Sequence, residues 1–216
     1  MNMNTNRVEA FGDAIVAIII TIMVLEFELP DITKEASSSG IKHHLVKLLP
    51  YFGTYAFSFL MIATLWTHHH HLFHLLEKVD SGLLWQNFVF LFFTSFIPFA
   101  TALLAANHVI DTSIAFYGTI LLLTTLTLAV MRAYALKHKL LHQDEDKNLT
   151  REVYFVSKRA RAKMFIGTAA YLLGIVLAFV NVYFAYACFL IPPIIFFIPD
   201  GIDNEELADK VTEKNK

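Results

Sequence analysis

The chain has 216 residues, 56% of them hydrophobic and only 17% charged, and a mean hydropathy of +0.53, which excludes a soluble domain of ordinary composition. A formal net charge of −2 leaves no basic footprint for nucleic acid, so no such partner is expected. The single cysteine, Cys188, lies in an apolar stretch and excludes an intrachain disulfide.

A hydrocarbon core about 30 Å thick calls for roughly 20 mostly apolar residues in a helix. Six such segments can be placed in chain order, at about 8–29, 47–70, 83–106, 114–136, 163–180 and 183–198. The N-terminal segment lacks a basic leader and a small-residue cleavage site, so it reads as a retained span and not as a secretory signal. No segment alternates polar and apolar residues as a lumen-facing strand does, which excludes a transmembrane barrel. The expected class is therefore an all-α membrane protein with six transmembrane helices per subunit.

Within the first span, "RVEAFGDAIVAIIITIMVLEFEL" sets Arg7, Glu9 and Asp13 at or inside the apolar stretch, where ionisable groups are costly and face a partner or water. Arg7 and Asp13 are six residues apart and fall on different helix faces, so partners from other helices are expected. Further along, Ile18, Thr21, Ile22 and Leu25 form one stripe at spacings of three and four. In a monomer that stripe is ordinary core. In a symmetric oligomer it meets its own copies around an axis, with Ile18 as an apolar constriction, Thr21 as a ring of hydroxyls, and Glu26 and Glu28 at the outer mouth.

The second span ends in "LWTHHHHLFH". Successive helical residues turn by about 100°, so His68, His69, His70 and His71 point nearly all round the helix and cannot converge on one metal. Only His74 shares a face with His70 or His71. A di-iron membrane enzyme would need several such histidine clusters, so no metal, no cofactor and no enzymatic activity are expected. Pro98 is a potential break in the third span. In the fifth, Ala170, Gly174 and Ala178 recur at intervals of four and offer a close-packing face, and the last two spans meet at Asn181, as a tight helical hairpin or as one long broken helix.

Basic residues set the orientation. With six spans, one side holds Arg7, Lys78, the nine basic residues from Arg132 to Lys163, and Lys210, Lys214 and Lys216, against Lys34, Lys42 and Lys47 opposite. Both termini are then cytoplasmic, with residues 1–200 as the six-helix unit, 30–40 as an external loop and 201–216 as a polar cytoplasmic tail.

Several of these stretches are familiar together. "RVEAFGD" resembles the arginine, three residues, F-S-D signature of the lysosomal and endosomal potassium channel family and its prokaryotic relatives. "WTHHHHLF" resembles the family's W-x-x-H-H-x-L-F element, and "LWQNFVFLFFTSFIPFATALL" its third span, with Asn87 near the start and Pro98, Phe99 and Thr101 near the end. The matches fall in family order within the first hundred residues, while the later spans agree only in number and hydropathy.

The resemblance implies a potassium-permeable cation channel in a prokaryotic plasma membrane. Four copies of the subunit would surround a pore lined by the first helix, passing K+ with other monovalent cations less favoured. Carried over by position, it puts the constriction at Ile18, the pore threonine at Thr21 and further apolar pore positions at Ile22 and Leu25. The motif network falls on Arg7, Phe11 and Asp13, with Trp66, His69, His70 and Asn87 as partners. Gly12 replaces the motif serine, removing a hydroxyl and loosening the helix by about 1 kcal/mol relative to alanine. The chain has neither a T-V-G-Y-G run for a carbonyl filter nor a regularly spaced arginine series, so selectivity should be modest. The rival reading is a small proton- or cation-coupled membrane transporter, although carriers usually show paired helix breaks in two halves.

Overall fold

The computed structural model describes residues 5–25, 38–142 and 147–197. Among the described residues eight helices follow one another: α1 (Thr5–Leu25), α2 (Ser38–Lys47), α3 (Leu49–His74), α4 (Ser81–Ser95), α5 (Ile97–Ala106), α6 (Asp111–Lys137), α7 (Lys147–Ala178) and α8 (Val182–Phe197). The only β pairing among them is an isolated antiparallel bridge between Leu76 and Leu141. Five segments are long and apolar enough to cross a bilayer: α1, α3, α4 with α5, α6, and α7 from Thr150 onwards. The protein is a helical membrane protein, and these five correspond to the first five predicted spans. The predicted sixth is α8, an apolar helix of 16 residues, about 24 Å long. Residues 30–37 of the external loop predicted at 30–40, the predicted mouth residues Glu26 and Glu28, and the predicted tail at 201–216 lie outside the described residues, while 38–40 are the start of α2 and not loop.

Three details differ from the sequence expectation. The helix that carries the fifth span begins at Lys147 and not near Lys163, so the basic run with Lys158, Arg159 and Arg161 is helix and not loop. No glycine or proline interrupts residues 147–166, and Val153, Val156, Ala160 and Met164 form a buried stripe at spacings of three and four. Arg132, read as a basic residue flanking a loop, is instead fully buried, with its Nη2 donating to the His68 carbonyl at 2.9 Å. α2 is a short helix, exposed at Ile41, Lys42, His43, Leu45, Val46 and Lys47, that the sequence reading did not assign.

The third span is interrupted where Pro98 stands. Proline lacks the N–H that would reach back to the Thr94 carbonyl, and the chain tightens there. Phe96 N–H donates to Phe93 O at 3.1 Å, and the ladder resumes with Ala100 N–H to Phe96 O at 3.0 Å. Thr94 and Ser95 fold their hydroxyls back on Phe90 O and Phe92 O, each at 2.7 Å.

α6 runs through the centre, with α4, α5 and α7 packed around it, and α8 lies against α7. The predicted small face of α7 admits Phe189 of α8, whose ring would stand 2.5 Å from a Cβ placed on Gly174 and presses on Gly118 of α6 as well. Only glycine at 174 permits that approach. The hairpin predicted at Asn181 is present: its N–H bonds to Leu177 O at 2.8 Å, and its side chain accepts from Tyr183 N at 2.9 Å.

The connections sort to two ends. The α3–α4 loop pairs with the α6–α7 loop through Glu77 N–H to Leu140 O at 3.0 Å and His142 N–H to Leu75 O at 2.9 Å. At the other end, Tyr186 near the start of α8 donates to His108 O, in the α5–α6 loop, at 2.7 Å.

Candidate functional site

α1 lies at the side of the subunit, packed on α3, α4 and α5 through one face only. Val8, Gly12, Val16, Ile19 and Met23 make that face and are buried. The predicted stripe looks the other way. Ile18 is 56% exposed, Leu25 78%, and Ile22 and Thr21 are exposed as well, with the Thr21 hydroxyl turned back onto Ile18 O at 2.8 Å. The stripe is therefore not core of this chain. Arg7, Phe11 and Ala14 continue it towards the helix start at the same spacing of three and four, and Ala10 and Ala17 flank it with small exposed side chains.

The first half of α1 is tied to α3 and α4 by polar side chains. Asp13 accepts from Trp66 Nε1 at 2.8 Å. His69, fully buried, meets Asn87 Oδ1 through Nε2 at 2.7 Å and lies between Phe90, stacked at 5.0 Å, and Phe73 at 4.5 Å. Asn87 is fully buried too. The His69 ring stands directly over Gly12: a Cβ there would lie 3.0 Å from its Cε1. The glycine that replaces the motif serine thus leaves room for an imidazole and does more than omit a hydroxyl.

His70 stacks on Trp66 at 5.1 Å and 16° and brings Nδ1 to 2.9 Å from Glu9 Oε1. Of the predicted network, Asp13 with Trp66, His69 with Asn87, and His70 on Trp66 are brought together. Phe11 is half exposed and touches α4 edge-on at Phe88, with centroids 6.1 Å apart. Arg7 sits exposed at the helix start, apart from these bonds.

Three features escaped the sequence reading. Glu9 joins the histidine face from another helix, which no periodicity within α3 could reveal. Arg132 reaches the backbone of His68, a residue given no role, whose buried ring meets Phe196 of α8 edge-on at 4.6 Å. Deeper in the bundle, Tyr117 OH, Ser58 Oγ and Thr101 Oγ1 form a buried chain with links of 2.8 Å each, joining α6, α3 and α5. Thr101 enters the sequence reading only beside Pro98 and Phe99 near the end of the third span, and nothing in the spacing points to Ser58 or Tyr117.

Comparison with known proteins bears on the same stretch. Residues 7–98, which span Arg7, Asp13, Trp66, His69, His70 and Asn87, match the family described as endosomal/lysosomal potassium channel TMEM175. Over 198 residues the chain is 34% identical to a potassium channel of Chryseobacterium sp. (strain P1-3), covering 92% of this chain and 95% of that one. The chain belongs to the TMEM175 family. A potassium channel of Chamaesiphon minutus is 31% identical over 193 residues, 87% of this chain and 91% of its own. The crystal structure of a lysosomal potassium-selective channel TMEM175 homolog from Chamaesiphon minutus aligns with a TM-score of 0.75 at 27% identity, covering 91% of this chain and 97% of that chain. TMEM175 proteins form an ion-channel family and not an enzyme family, so the resemblance in the first three spans holds and extends over most of the chain.

Proposed function

We propose that this chain is the subunit of a homotetrameric channel that conducts K+, with other monovalent cations less favoured, through a pore lined by four copies of α1. The observation that carries the reading is the division of α1 into two faces. One is held by α3, α4 and α5, while the stripe of Ile18, Thr21, Ile22 and Leu25 has no cover from its own subunit. Lipid could cover such a stripe, but the exposed positions of α4 and α5 that this reading turns to lipid are large aromatics, Trp85, Phe92 and Phe99. The α1 face instead alternates its isoleucines with Ala10, Ala14, Ala17 and Thr21, small and hydroxylated residues that suit close helix approach about an axis. The ring of Ile18 side chains is the constriction, with Ile22 and Leu25 as further apolar rings. Thr21 hydroxyls replace part of an ion's water, and Glu26 and Glu28 attract cations at the outer mouth. Arg7 and Phe11, on the same stripe, face the neighbouring subunit, and the bonds through Asp13, Trp66, His69, His70 and Asn87 fix the inner half of α1.

In this reading residues 1–200 form a six-helix unit in the cell membrane, in contact with lipid, and 201–216 form a cytoplasmic tail. Support for α8 as a sixth crossing comes from its two ends. Tyr186 meets the α5–α6 loop, while Phe196 lies on His68 near the opposite end of α3. Support for cytoplasmic termini comes from the pairing of the α3–α4 and α6–α7 loops, which gathers the basic flanks of the chain at one end.

The test is current through purified protein in planar bilayers under a K+ gradient, with its oligomeric state measured in detergent. A fourfold assembly passing K+ is expected, with Ile18→Asn raising conductance and lowering K+ over Na+ preference. Absence of cation current, or an Ile18→Asn channel identical to the parent, refutes the pore assignment.

A further inference from the structure

Glu9 and His74 are not residues of the predicted network, yet they converge with His70. Glu9 Oε1 lies 2.9 Å from His70 Nδ1 and 4.0 Å from His74 Nε2, and the donor atoms of all three fall within 4.8 Å of one another. Among the described residues this is the one place where three histidine, cysteine or acidic side chains converge so closely. The two histidines stand one turn apart on α3, and the carboxylate comes from α1.

The geometry and the donor chemistry agree. Ligand atoms about 2.0–2.1 Å from a tetrahedral zinc ion lie roughly 3.3 Å from each other, and the 2.9 and 4.0 Å separations bracket that value. Two imidazoles and one carboxylate are a three-ligand set that leaves a fourth position for water. Imidazole nitrogen selects zinc-class transition ions over Mg2+ and Ca2+, which prefer all-oxygen shells.

Glu9 Oε1 and His70 Nδ1 are both shielded from solvent and pair with each other at 2.9 Å. An ion at the site takes the place of the proton that the pair shares. Trp66, anchored on Asp13 at 2.8 Å, stacks on the His70 ring and sets its orientation, as outer-shell partners of metal ligands do. His74, 42% exposed at its side chain, gives an ion access from water, and Asp13, one turn along from Glu9, adds a second negative charge nearby.

We propose that Glu9, His70 and His74 bind one divalent transition-metal ion of the zinc class, with water in the fourth position. Because the carboxylate is on α1 and both imidazoles are on α3, the ion cross-links the two helices. Its effect on conduction rests on the channel reading above. Its binding does not.

The binding test uses the full chain, freed of any polyhistidine tag, purified in detergent and stripped with EDTA. Zn2+ is titrated by calorimetry and by competition with a chelating fluorophore. One ion per subunit is expected, with affinity falling at least about tenfold in Glu9→Gln and in His74→Ala and unchanged in His108→Ala, an exposed histidine elsewhere. Gel filtration and melting without metal establish that each variant is folded, and a Zn2+-induced rise in melting temperature should appear in the parent and vanish in the two ligand variants. No saturable binding, or binding that survives both ligand substitutions, overturns the site. Binding as expected in a protein that passes no current leaves the site standing and refutes only the channel.

Discussion

Replacing Trp66 with phenylalanine removes one donor and little else. The ring remains to stack on His70, but Asp13 loses the indole N–H that approaches it at 2.8 Å. A hydrogen bond to a charged group contributes about 1.5–3 kcal/mol net, and Trp66 is 36% exposed, so water screens and competes for the contact and the low end applies. At about 1.5 kcal/mol, and with about 2–4 °C of melting temperature per kcal/mol for a chain of this length, Trp66→Phe should melt roughly 3–6 °C lower. Asp13→Ala should cost a similar amount, because it leaves the indole N–H unpaired. The decisive measurement is the double-mutant cycle: if the two groups act through one bond, the double variant melts no lower than the worse single variant. Additivity within about 0.5 kcal/mol would show that the bond contributes nothing and that α1 is held by apolar packing alone. In bilayers, Trp66→Phe should also change open probability while leaving single-channel conductance intact, since the Trp66–Asp13 bond lies on another face of α1, more than a turn from Ile18.

Three further substitutions test the packing. Gly12→Ala adds about 1 kcal/mol of helix propensity, yet it should lower stability by about 1–2 kcal/mol overall. Its Cβ meets a His69 ring that Asn87, Phe90 and Phe73 hold in place, and a higher melting temperature would show that the ring yields. Phe189→Ala empties the space between Gly118 and Gly174 and should cost about 3–5 kcal/mol, detaching α8; an unchanged melting curve refutes that role. Lys139 holds a left-handed backbone, φ 53°, at the end of α6, with Leu140 N–H closing on Ala135 O at 3.0 Å. Lys139→Gly should therefore melt about 2–4 °C higher, and a fall would refute the strain.

The helical spans were legible because hydropathy and length are local properties, and the bilayer makes them nearly sufficient. Pro98 and the small face at Gly174 were legible for a related reason: a missing N–H and a missing Cβ act wherever they stand. Where local reading failed, partners from elsewhere in the chain decided the outcome. Residues 147–162 look like a basic loop until the buried stripe through Val153 and Ala160 finds α6 to pack against. Arg132 looks like a surface charge until the His68 carbonyl takes its Nη2.

The same division runs through the candidate site. The order of residues by itself determined the membrane class, the family motifs and the stripe on the first helix, since each is written in composition or in spacings of three and four. It left open whether the stripe is core. Only the tertiary structure decided that, because α1 has two apolar faces and the neighbours α3, α4 and α5 cover just one. It also decided the use of the histidine run. Helical twist scatters four consecutive imidazoles round α3, and the helices packed beside it give three of them different environments: His68 beside Phe196, His69 over Gly12, and His70 against Glu9.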